Sequence, residues 1–430
     1  MSEPWRIGMI GCGTVGSGVA ELIDRRYEDL ERVIGRPLEI RRIVVRDPER
    51  PRHHLANFLP TDVEFTADPA RVTSAEDVDL VVEVAGGTDE PRRWILAALE
   101  NGKDVITANK AVLAFHGAEI FKAVRETGRR VYYEASVAGA IPIVEILQNA
   151  LVANQVTRIS AILNGTCNYI LTRMEEDGLD YARALELAQE KGFAEAEPSL
   201  DVGGGDTAHK LALLAGIICD APVPVERIYT EGIEGIAPED IRFANDMGYR
   251  VKLLAIGKRN EQGAWELRVH PTLVPQREVI AQVQDEFNAV SIRADAAGPL
   301  LIHGKGAGAL PTASSVVADL VRAARGDTLA KNGHGLPTPT LVPIDSVELR
   351  HYIRVSVLDV PGVLGRITSL FGLRQISISS IHQSEARIGY PVPIVLVTHK
   401  TVDRVINDAL RDLERVQLLR GPATRIRIED

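Results

Sequence analysis

One glycine-rich segment in the middle of the chain, residues 191–210, concentrates charged side chains that could act on a small molecule. Asp206 stands at the start of a predicted apolar helix and Lys210 follows it by four residues, so the two are neighbours on the helix surface. An exposed ion pair of this kind contributes only about 0.3 kcal/mol. We favour a polar site at the start of a buried helix, because the glycines at 203–205 suit a substrate loop better than a scaffold. The carboxylates of the segment are Glu195, Glu197, Asp201 and Asp206.

Proton transfer is the chemistry that a lysine in such a site suits. Removal of a hydride from an alcohol carbon requires a group that accepts the hydroxyl proton, and a lysine can do so when burial or a nearby cation lowers its pKa from about 10.4. The sequence offers no serine–histidine–aspartate arrangement, and its histidines lack metal-ligand spacing. Cys12 and Cys167 are typical of small packing residues rather than of nucleophiles.

A second group of residues, at the start of the chain, suits a nucleotide. The turn 11–16 has the spacing G-x-G-x-x-G; it follows the apolar run 5–10 and opens an amphipathic stretch, 15–30. In a strand–turn–helix unit, one glycine makes the tight turn, one lets a pyrophosphate approach the backbone, and one allows close helix–strand packing. The sequence therefore predicts a dinucleotide site, with a glycine turn that binds nothing as the alternative. The candidate contacts are Gly11, Gly13, Thr14, Val15 and Gly16.

The elements that position this turn alternate between strand and helix along the first third of the chain. This alternation predicts right-handed crossovers and a doubly wound, mostly parallel sheet of the Rossmann type. Ligands of such sheets bind at the carboxyl ends of the strands, which places Gly86-Gly87 and residues 107–110 at the cofactor crevice. The predicted strands after the first are 39–45, 79–84, 104–107 and 130–134, and the predicted helices are 91–101 and 112–127.

The second predicted strand ends in Arg46-Asp47. An acidic residue at this place binds the ribose hydroxyls of NAD, whereas an arginine accommodates the 2′-phosphate of NADP. Because Arg46 comes first, we predict NADP as the cofactor, with NAD accepted as well. The alternative is that Arg46 is a solvated surface charge.

The C-terminal third of the chain has a different pattern. Glycines and prolines predict a linker over residues 326–348. Beyond it the order is β-α-β-β-α-β, a ferredoxin-like unit. The predicted strands there are 352–358, 376–385, 392–398 and 424–428, and the helices are 363–373 and 402–413. Before the linker, strands at 156–163, 265–274 and 287–292 predict a further sheet. A glycine run at 304–308 leads into a helix at 312–324.

Several of these stretches together resemble one family. They are the turn 11–16, Thr107-Ala108-Asn109-Lys110, Glu134-Ala135-Ser136-Val137-Ala138-Gly139, Asn164-Gly165-Thr166 and residues 191–210. In this order the chain resembles the homoserine dehydrogenases, in the monofunctional form with a C-terminal ACT domain. The resemblance implies NAD(P)-dependent interconversion of L-homoserine and L-aspartate 4-semialdehyde, in the biosynthesis of threonine and methionine.

The resemblance also implies roles for individual residues. Lys210 matches the family's acid/base and Lys110 a second lysine beside cofactor and substrate. Glu195 and Asp206 match carboxylates that hold the substrate, with Asp201 among them; Glu197 departs from the pattern, since many relatives have aspartate there. Gly306 would face the nicotinamide end of the cofactor. A monovalent cation, usually sodium, would be held by the backbone carbonyls of Glu134, Val137, Gly139 and Ile141.

The domain organisation expected from this reading has four parts. Residues 1–138, with about 305–325, form the NAD(P)-binding domain, and residues 139–304 form a substrate-binding and dimerisation domain. The linker 326–348 then leads to a regulatory ACT domain over 349–430. L-threonine is the implied feedback inhibitor, although an ACT fold can also serve as a dimerisation device without a ligand. A homodimer or a larger homo-oligomer is expected.

Composition excludes several other classes. At about 150 residues per domain, the 430 residues give room for about three domains. The net charge is −10 and there is no Lys/Arg-rich block, so nucleic acids and anionic membranes are poor partners. No apolar run approaches the roughly 18 residues that span a bilayer, and the first strand starts too early for a signal peptide. With three scattered cysteines, these features predict a cytoplasmic protein.

Two alternative functions stay open at this point. One is another NADP-dependent dehydrogenase of a small amino acid or semialdehyde. The other is an amino-acid-sensing regulator with an inactive nucleotide fold, against which the intact turn 11–16, Lys110 and Lys210 argue. A phosphorylating aspartate-semialdehyde dehydrogenase would need a nucleophilic cysteine in a catalytic setting, and the sequence has none.

Overall fold

A computed structural model of the chain describes residues 3–50, 52–55, 57–327, 336–383 and 391–429. The chain divides into two compact units. The first consists of Met1–Val156, His209–Val225 and Arg293–Pro339, and the second of Thr157–Ala208, Glu226–Ile292 and Thr340–Asp430. Within the described residues, no helix is both long enough and apolar enough to cross a membrane.

The strands and helices have the following bounds. The strands are β1 (Trp5–Ile10), β2 (Leu38–Val44), β3 (Glu64–Thr66), β4 (Leu80–Glu83), β5 (Asp104–Thr107), β6 (Val131–Tyr132), β7 (Val156–Ile162), β8 (Tyr229–Thr230), β9 (Tyr249–Arg259), β10 (Trp265–Pro275), β11 (Phe287–Ala294), β12 (Gly298–Lys305), β13 (Leu341–Val342), β14 (Glu348–Leu358), β15 (Ile378–Gln383), β16 (Pro391–Thr398), β17 (Thr401–Val402) and β18 (Thr424–Ile428). The helices are α1 (Thr14–Arg25), α2 (Tyr27–Ile34), α3 (Ala70–Thr73), α4 (Asp89–Glu100), α5 (Lys110–Thr127), α6 (Ile143–Glu145), α7 (Gly165–Glu176), α8 (Tyr181–Glu190), α9 (Ser199–Val202), α10 (Gly205–Cys219), α11 (Pro238–Asp246), α12 (Ala309–Arg325), α13 (Val363–Leu373) and α14 (Asp403–Arg415).

The first unit contains a parallel sheet in the order β3-β2-β1-β4-β5-β6. This is the doubly wound arrangement, and the strand order reverses between β1 and β4. The predicted Rossmann-type sheet is thus confirmed. The amphipathic stretch 15–30, however, is two helices rather than one, because α1 ends at Arg25 and α2 starts at Tyr27.

Helix α12 is distant from β1 along the chain but packs into the core of the first unit. Ile7 and Met9 of β1 are completely buried and pack with Val19 of α1. Leu320 of α12 packs into the same cluster. A Cβ atom on Gly18 would lie 2.9 Å from the carbonyl oxygen of Ala309, so a glycine in α1 permits the close approach of α12.

The second unit contains a longer, mostly antiparallel sheet. Its strands follow the order β11-β7-β9-β10-β18-β14-β16-β15. The long hairpin of β9 and β10 forms its centre, paired from Trp265 with Arg259 to Pro275 with Tyr249. The predicted strands at 156–163, 265–274 and 287–292 correspond to β7, β10 and β11.

The C-terminal part of the second unit has the predicted ferredoxin-like order. Its four-stranded portion, β18-β14-β16-β15, is antiparallel, and α13 and α14 supply the helical layer. Ile353, Phe371 and Leu413 form part of its buried core, each with no exposed surface. The predicted helix 363–373 matches α13 at both ends.

The predicted linker is wrong over part of its length. Leu341 and Val342 form the short strand β13 beside β10, and the amide of Trp265 donates to the carbonyl of Thr340 at 2.9 Å. Two apolar residues after the prolines extend the sheet, which the count of glycines and prolines does not reveal. Residues 328–335 of the predicted linker lie outside the described residues.

Candidate active site

The glycine turn after β1 has a conformation that requires glycine at two of its positions. Gly11 has φ +100, in the left-handed region, and a Cβ there would lie 2.9 Å from the backbone of Val84. A Cβ on Gly16 would lie 2.6 Å from the carbonyl oxygen of Gly11. These two glycines are therefore required by the packing of turn against strand and helix.

Gly13 is different, because a Cβ atom there would meet no atom within 4 Å. It stands at the N-cap of α1, which has no side-chain cap and no acidic residue in its first turn. A helix start with open space and uncapped amide groups favours an anionic ligand, since the amides and the helix dipole both favour negative charge. The turn thus fits the pyrophosphate of a dinucleotide, in agreement with the candidate contacts Thr14 and Val15 at the start of the same helix.

Arg46 is exposed and follows β2 by two residues. A second arginine lies close by: Arg52 donates to the carbonyls of Asp47 at 2.7 Å and Arg50 at 2.8 Å. Burial raises the pKa of the Cys12 thiol, while Ser17 and the charge of Arg52 act in the opposite direction. The charge of Arg52 thus reaches the Cys12 thiol in the glycine turn, an effect that sequence reasoning did not single out.

The turns after β4 and β5 are joined by side chains. Thr107, a predicted cofactor contact, is completely buried, and its hydroxyl donates to Glu83 at 2.6 Å. Asn109 caps α5 by accepting from the amide of Val112 at 3.1 Å. Lys110 is the first residue of α5 and is partly exposed.

The loop that carries the predicted cation ligands is tightly folded against the glycine run of the first unit. Ala138 and Gly139 both have left-handed backbones, with φ of 58° and 56°. A Cβ on Gly139 would lie 2.5 Å from the carbonyl carbon of Gly306, and the amide of Ala140 donates to the carbonyl of Lys305 at 3.0 Å. Gly306, predicted at the nicotinamide end of the cofactor, thus lies against the Glu134–Ile141 loop.

Two buried carboxyl groups lie beside this loop. The amide of Glu134 donates to Asp319 at 2.8 Å, and the Glu134 carboxylate accepts from the amides of Val144 and Glu145, each at 2.8 Å. Burial, and then the charge of Asp319, raise the pKa of Glu134 to about 8, and burial raises that of Asp319 to about 7. Arg322 already pairs with Asp319 at 3.3 Å, so the fit of the predicted monovalent ion rests on the backbone carbonyls of the loop. The carbonyls of Glu134, Gly139 and Ile141 each accept one hydrogen bond and keep a second lone pair.

The second unit brings two of the predicted substrate carboxylates together through an amide. Asn164 is buried, and its Nδ2 donates to Asp201 at 2.7 Å and to Asp206 at 2.9 Å. Its Oδ1 accepts from the amide of Cys167 at 2.8 Å and so caps α7. Asn164 thus holds two carboxyl groups side by side, an arrangement whose oxygens can accept hydrogen bonds from an ammonium group.

The two glutamates of segment 191–210 differ from these aspartates in their exposure to solvent. Glu195 and Glu197 are exposed, and Glu197 accepts from the hydroxyl of Ser199 at 2.9 Å. The three glycines are closely packed: a Cβ on Gly203 would lie 2.6 Å from the carbonyl of Ser199, and one on Gly205 would lie 2.8 Å from Leu200. These glycines allow α9 and α10 to join in a tight turn, a structural task that the prediction of a substrate loop did not include.

The last candidate, Lys210, lies one turn after Asp206 on α10 and is partly exposed. The adjacent His209 packs edge-on against Phe115, with ring centroids 5.1 Å apart. No group of three histidine, cysteine, aspartate or glutamate side chains within the described residues could hold a metal ion.

Comparison with known proteins shows to which family the chain belongs. The family model of homoserine dehydrogenase matches residues 142–321, and the model of the homoserine dehydrogenase NAD-binding domain matches residues 11–134. A model of the ACT domain matches residues 351–416. The chain belongs to the homoserine dehydrogenase family.

Relatives of full length agree with this assignment. A homoserine dehydrogenase of Pseudomonas aeruginosa is 41% identical over 438 residues, covering 99% of both chains, and one of Mycobacterium tuberculosis is 39% identical over 443 residues, covering 99% of this chain and 98% of the relative. Among solved structures, a homoserine dehydrogenase of Thiobacillus denitrificans has a TM-score of 0.90 at 40% identity, covering 99% of this chain and 98% of that one. A hyperthermophilic archaeal homoserine dehydrogenase mutant, solved in complex with NADPH, has a TM-score of 0.65 at 25% identity, covering 76% and 99%.

As a homoserine dehydrogenase, the protein is an oxidoreductase with a nucleotide-binding domain and an ACT domain. Sequence reasoning reached this family from its motifs, but it did not single out Glu83 or the bridging function of Asn164. The signal for Asn164 was present, since Asn164-Gly165-Thr166 is one of the motifs that carry the resemblance.

Proposed function

We propose that this homoserine dehydrogenase interconverts L-homoserine and L-aspartate 4-semialdehyde, with Lys210 as the acid/base. In the oxidative direction, the C–H bond of the alcohol carbon breaks as the hydride leaves, the O–H proton passes to Nζ of Lys210, and a C=O double bond forms. A bound nicotinamide cofactor supplies the hydride acceptor. Positioning and proton transfer are then the tasks of the protein.

The observation that carries the proposal is the pair of aspartates held by Asn164. L-Homoserine has an ammonium group and a hydroxyl, and Asp201 and Asp206 offer acceptors for such donors within hydrogen-bond distance of one buried amide. Asp206 is almost completely buried, which strengthens its interaction with a bound cation. Glu195, exposed at the edge of the same segment, is the third proposed substrate ligand.

For the cofactor we propose NADP, with NAD accepted as well. The glycine turn 11–16 would hold the pyrophosphate, while the exposed Arg46, with Arg52 beside the turn, would attract the 2′-phosphate. Lys110 and Gly306 would contact the nicotinamide end. The loop Glu134–Ile141 would hold a sodium or other monovalent ion through its backbone carbonyls.

For the ACT domain we propose binding of L-threonine as feedback inhibitor. Helix α13 follows Gly362, which has φ +87 and provides no side-chain cap, and the positive end of the helix dipole favours a ligand carboxylate there. The competing proposal is that this unit only pairs copies of the chain in a homodimer or a larger assembly. We also propose that the enzyme acts in the cytoplasm.

The experiment follows the absorbance of reduced nicotinamide with L-homoserine and either NADP+ or NAD+, with and without millimolar L-threonine. Lys210→Met should lower kcat by about 100-fold or more while NADPH still quenches tryptophan fluorescence. The matched control is Lys122→Met, since Lys122 is an exposed lysine of α5 that pairs with Glu126.

Each outcome of this experiment decides one point. Wild-type turnover by Lys210→Met would refute the acid/base assignment. Turnover that threonine does not change would refute the threonine sensor and keep the enzyme. Nucleotide binding without any turnover of homoserine would refute the proposed substrate.

A further inference from the structure

A buried carboxylate lies at the point of the first unit where a dinucleotide would cross the sheet. Glu83 is the last residue of β4 and has no exposed surface. Strand β4 pairs with β1 on one side and β5 on the other, and the strand order reverses between β1 and β4. In doubly wound sheets, ligands bind outside the carboxyl ends of the strands at this reversal.

The Glu83 carboxylate holds the turns that follow two neighbouring strands. Oε1 accepts from the amide of Ala85 at 2.9 Å, in the turn after β4. Oε2 accepts from the hydroxyl of Thr107 at 2.6 Å, at the end of β5. The Thr107 oxygen in turn accepts from the amide of Asn109 at 3.0 Å, so one carboxylate controls the conformation of both turns.

Asn109 closes the same network from the other side. Its Nδ2 donates to the carbonyls of Ala85 at 3.2 Å and Gly87 at 2.9 Å, and its Oδ1 caps α5. Lys110 is the next residue and the first of that helix. The starting point of Lys110 and the path of Gly86-Gly87 are thus fixed by a single set of hydrogen bonds whose centre is Glu83.

If the network served folding alone, a buried carboxylate would be less favourable there than a neutral side chain. Burial of an ionisable carboxyl group away from cations is unfavourable, and the groups that contact Glu83 are uncharged. A neutral residue would satisfy the amide of Ala85 at lower cost. Burial raises the pKa of Glu83 to about 7, which shows how unfavourable its charged form is. Ionisable groups with strongly shifted pKa values concentrate at functional sites.

We propose that Glu83 is a positioning residue for the nicotinamide half of the cofactor: it fixes the turns after β4 and β5 so that the ring has one orientation for hydride transfer. The proposal deepens the proposed function and rests on it, since it assumes a nicotinamide dinucleotide and oxidation of an alcohol. The pyrophosphate, which the turn 11–16 would bind, lies outside the side-chain hydrogen bonds of Glu83.

The test compares Glu83→Gln with Asp79→Asn. Asp79 directly precedes β4 at its amino end and pairs with Arg6 at 2.7 Å, so it controls for loss of a carboxylate that serves folding. Binding is measured by titration with NADPH and with 2′-phospho-ADP-ribose, which lacks the nicotinamide, or with NADH and ADP-ribose if NAD is preferred. Turnover of L-homoserine and the melting temperature are measured on the same samples.

We expect Glu83→Gln to bind NADPH about tenfold more weakly and to lower kcat by about 100-fold, while it binds 2′-phospho-ADP-ribose as wild type does. Asp79→Asn should change the melting temperature and neither affinity. Equal loss of affinity for both ligands, or loss for neither, would overturn the proposal. If wild-type protein binds NADPH but does not oxidise homoserine, the proposed substrate fails, whereas the two affinities still test Glu83.

A second pair of variants keeps the test decisive if Glu83→Gln does not fold. Thr107→Val removes the hydroxyl that donates to Glu83, and it should reproduce the selective loss of NADPH affinity. Thr107→Ser retains the hydroxyl and should recover most of what Thr107→Val loses. Equal behaviour of the valine and serine variants would overturn the proposal as well.

Discussion

Arg268 and Glu429 form an ion pair at 2.9 Å in which both side chains are almost completely buried. Arg268 lies in β10, at the centre of the substrate-domain sheet, and Glu429 directly follows β18, the last strand of the ACT fold. Strands β10 and β18 pair in parallel at Thr272–Arg427 and Leu273–Ile428. The strands around β10 and the strands of the ACT fold therefore form one continuous sheet, which a buried charge pair stabilises.

Glu429→Gln should destabilise the protein strongly. Burial alone would raise the pKa of the Glu429 carboxyl, but Arg268, Lys258 and Arg158 together lower it. Removal of the negative charge leaves these cations without compensation, which typically costs about 3 kcal/mol or more. Urea denaturation measures the effect, with Glu186→Gln as control because Glu186 forms an exposed pair with Arg183, worth about 1 kcal/mol at most. Equal midpoints for the two variants would contradict the prediction.

The glycines of the nucleotide turn should separate into two classes. Gly13→Ala should fold normally, since its Cβ meets no protein atom, and should lose nucleotide affinity by about tenfold or more because the methyl group occupies the space of the pyrophosphate. Gly16→Ala should instead lower the melting temperature, because its Cβ would lie 2.6 Å from the carbonyl of Gly11, an overpacking cost of about 1–3 kcal/mol. Titration with NADPH and thermal melting distinguish the two. Loss of stability in Gly13→Ala would contradict this division.

Asn164→Asp tests the bridge between the substrate carboxylates. The new side chain keeps an oxygen that can cap α7, but it replaces the shared donor by a third carboxylate beside Asp201 and Asp206. We expect kcat/KM for L-homoserine to fall by about 10–100-fold, with unchanged NADPH affinity. Steady-state kinetics and NADPH titration measure both. Asp180→Asn, which exchanges the same two side chains at the N-cap of α8, is the control and should leave kinetics as in wild type.

The sequence predicted those elements whose stability is decided locally. Helix α13 was predicted at both ends because its apolar residues recur with helical spacing after Gly362. The glycine turn was predicted because its spacing is typical of one strand–helix connection, in which Gly11 and Gly16 are required for steric reasons. In contrast, the short strand β13 forms because its residues pair with the edge of β10. No sequence pattern near Leu341 indicates that this edge is available.

The functional roles that were missed are those set by contacts between distant parts of the chain. The amide of Asn164 meets Asp201 and Asp206 only after α7, α9 and α10 have packed. Glu83 reads in the sequence as the end of a buried strand, and its role appears only when Thr107 of the neighbouring strand donates to it. Segment composition singled out the candidate residues of 191–210, but it could not predict that Asp206 is buried while Glu195 is exposed.

The buried carboxyl group of Glu83 should make stability depend on pH in a way that Glu83→Gln removes. Its pKa is raised from 4.5 to about 7 in the folded protein, so the unfolded chain releases this proton at lower pH than the folded chain does. The contribution of Glu83 to stability is therefore fully present below about pH 4.5 and is lost as pH rises through about 7. Between about pH 5 and pH 8, the stability of wild type relative to Glu83→Gln should fall by an amount on the order of 3 kcal/mol.

Urea denaturation of both proteins across this pH range measures that difference, and Asp79→Asn provides a control of opposite sign. Arg6 overcomes the effect of burial and lowers the pKa of Asp79 below 3.8, so the contribution of this ion pair is already complete at about pH 5 and stays constant above it. The difference between wild type and Asp79→Asn should accordingly be flat from about pH 5 to pH 8. A flat difference for Glu83→Gln as well would mean that Glu83 does not change its ionisation between folded and unfolded states in this range. In that case burial would not disfavour the charged form of Glu83, and the buried carboxylate would no longer indicate a functional site.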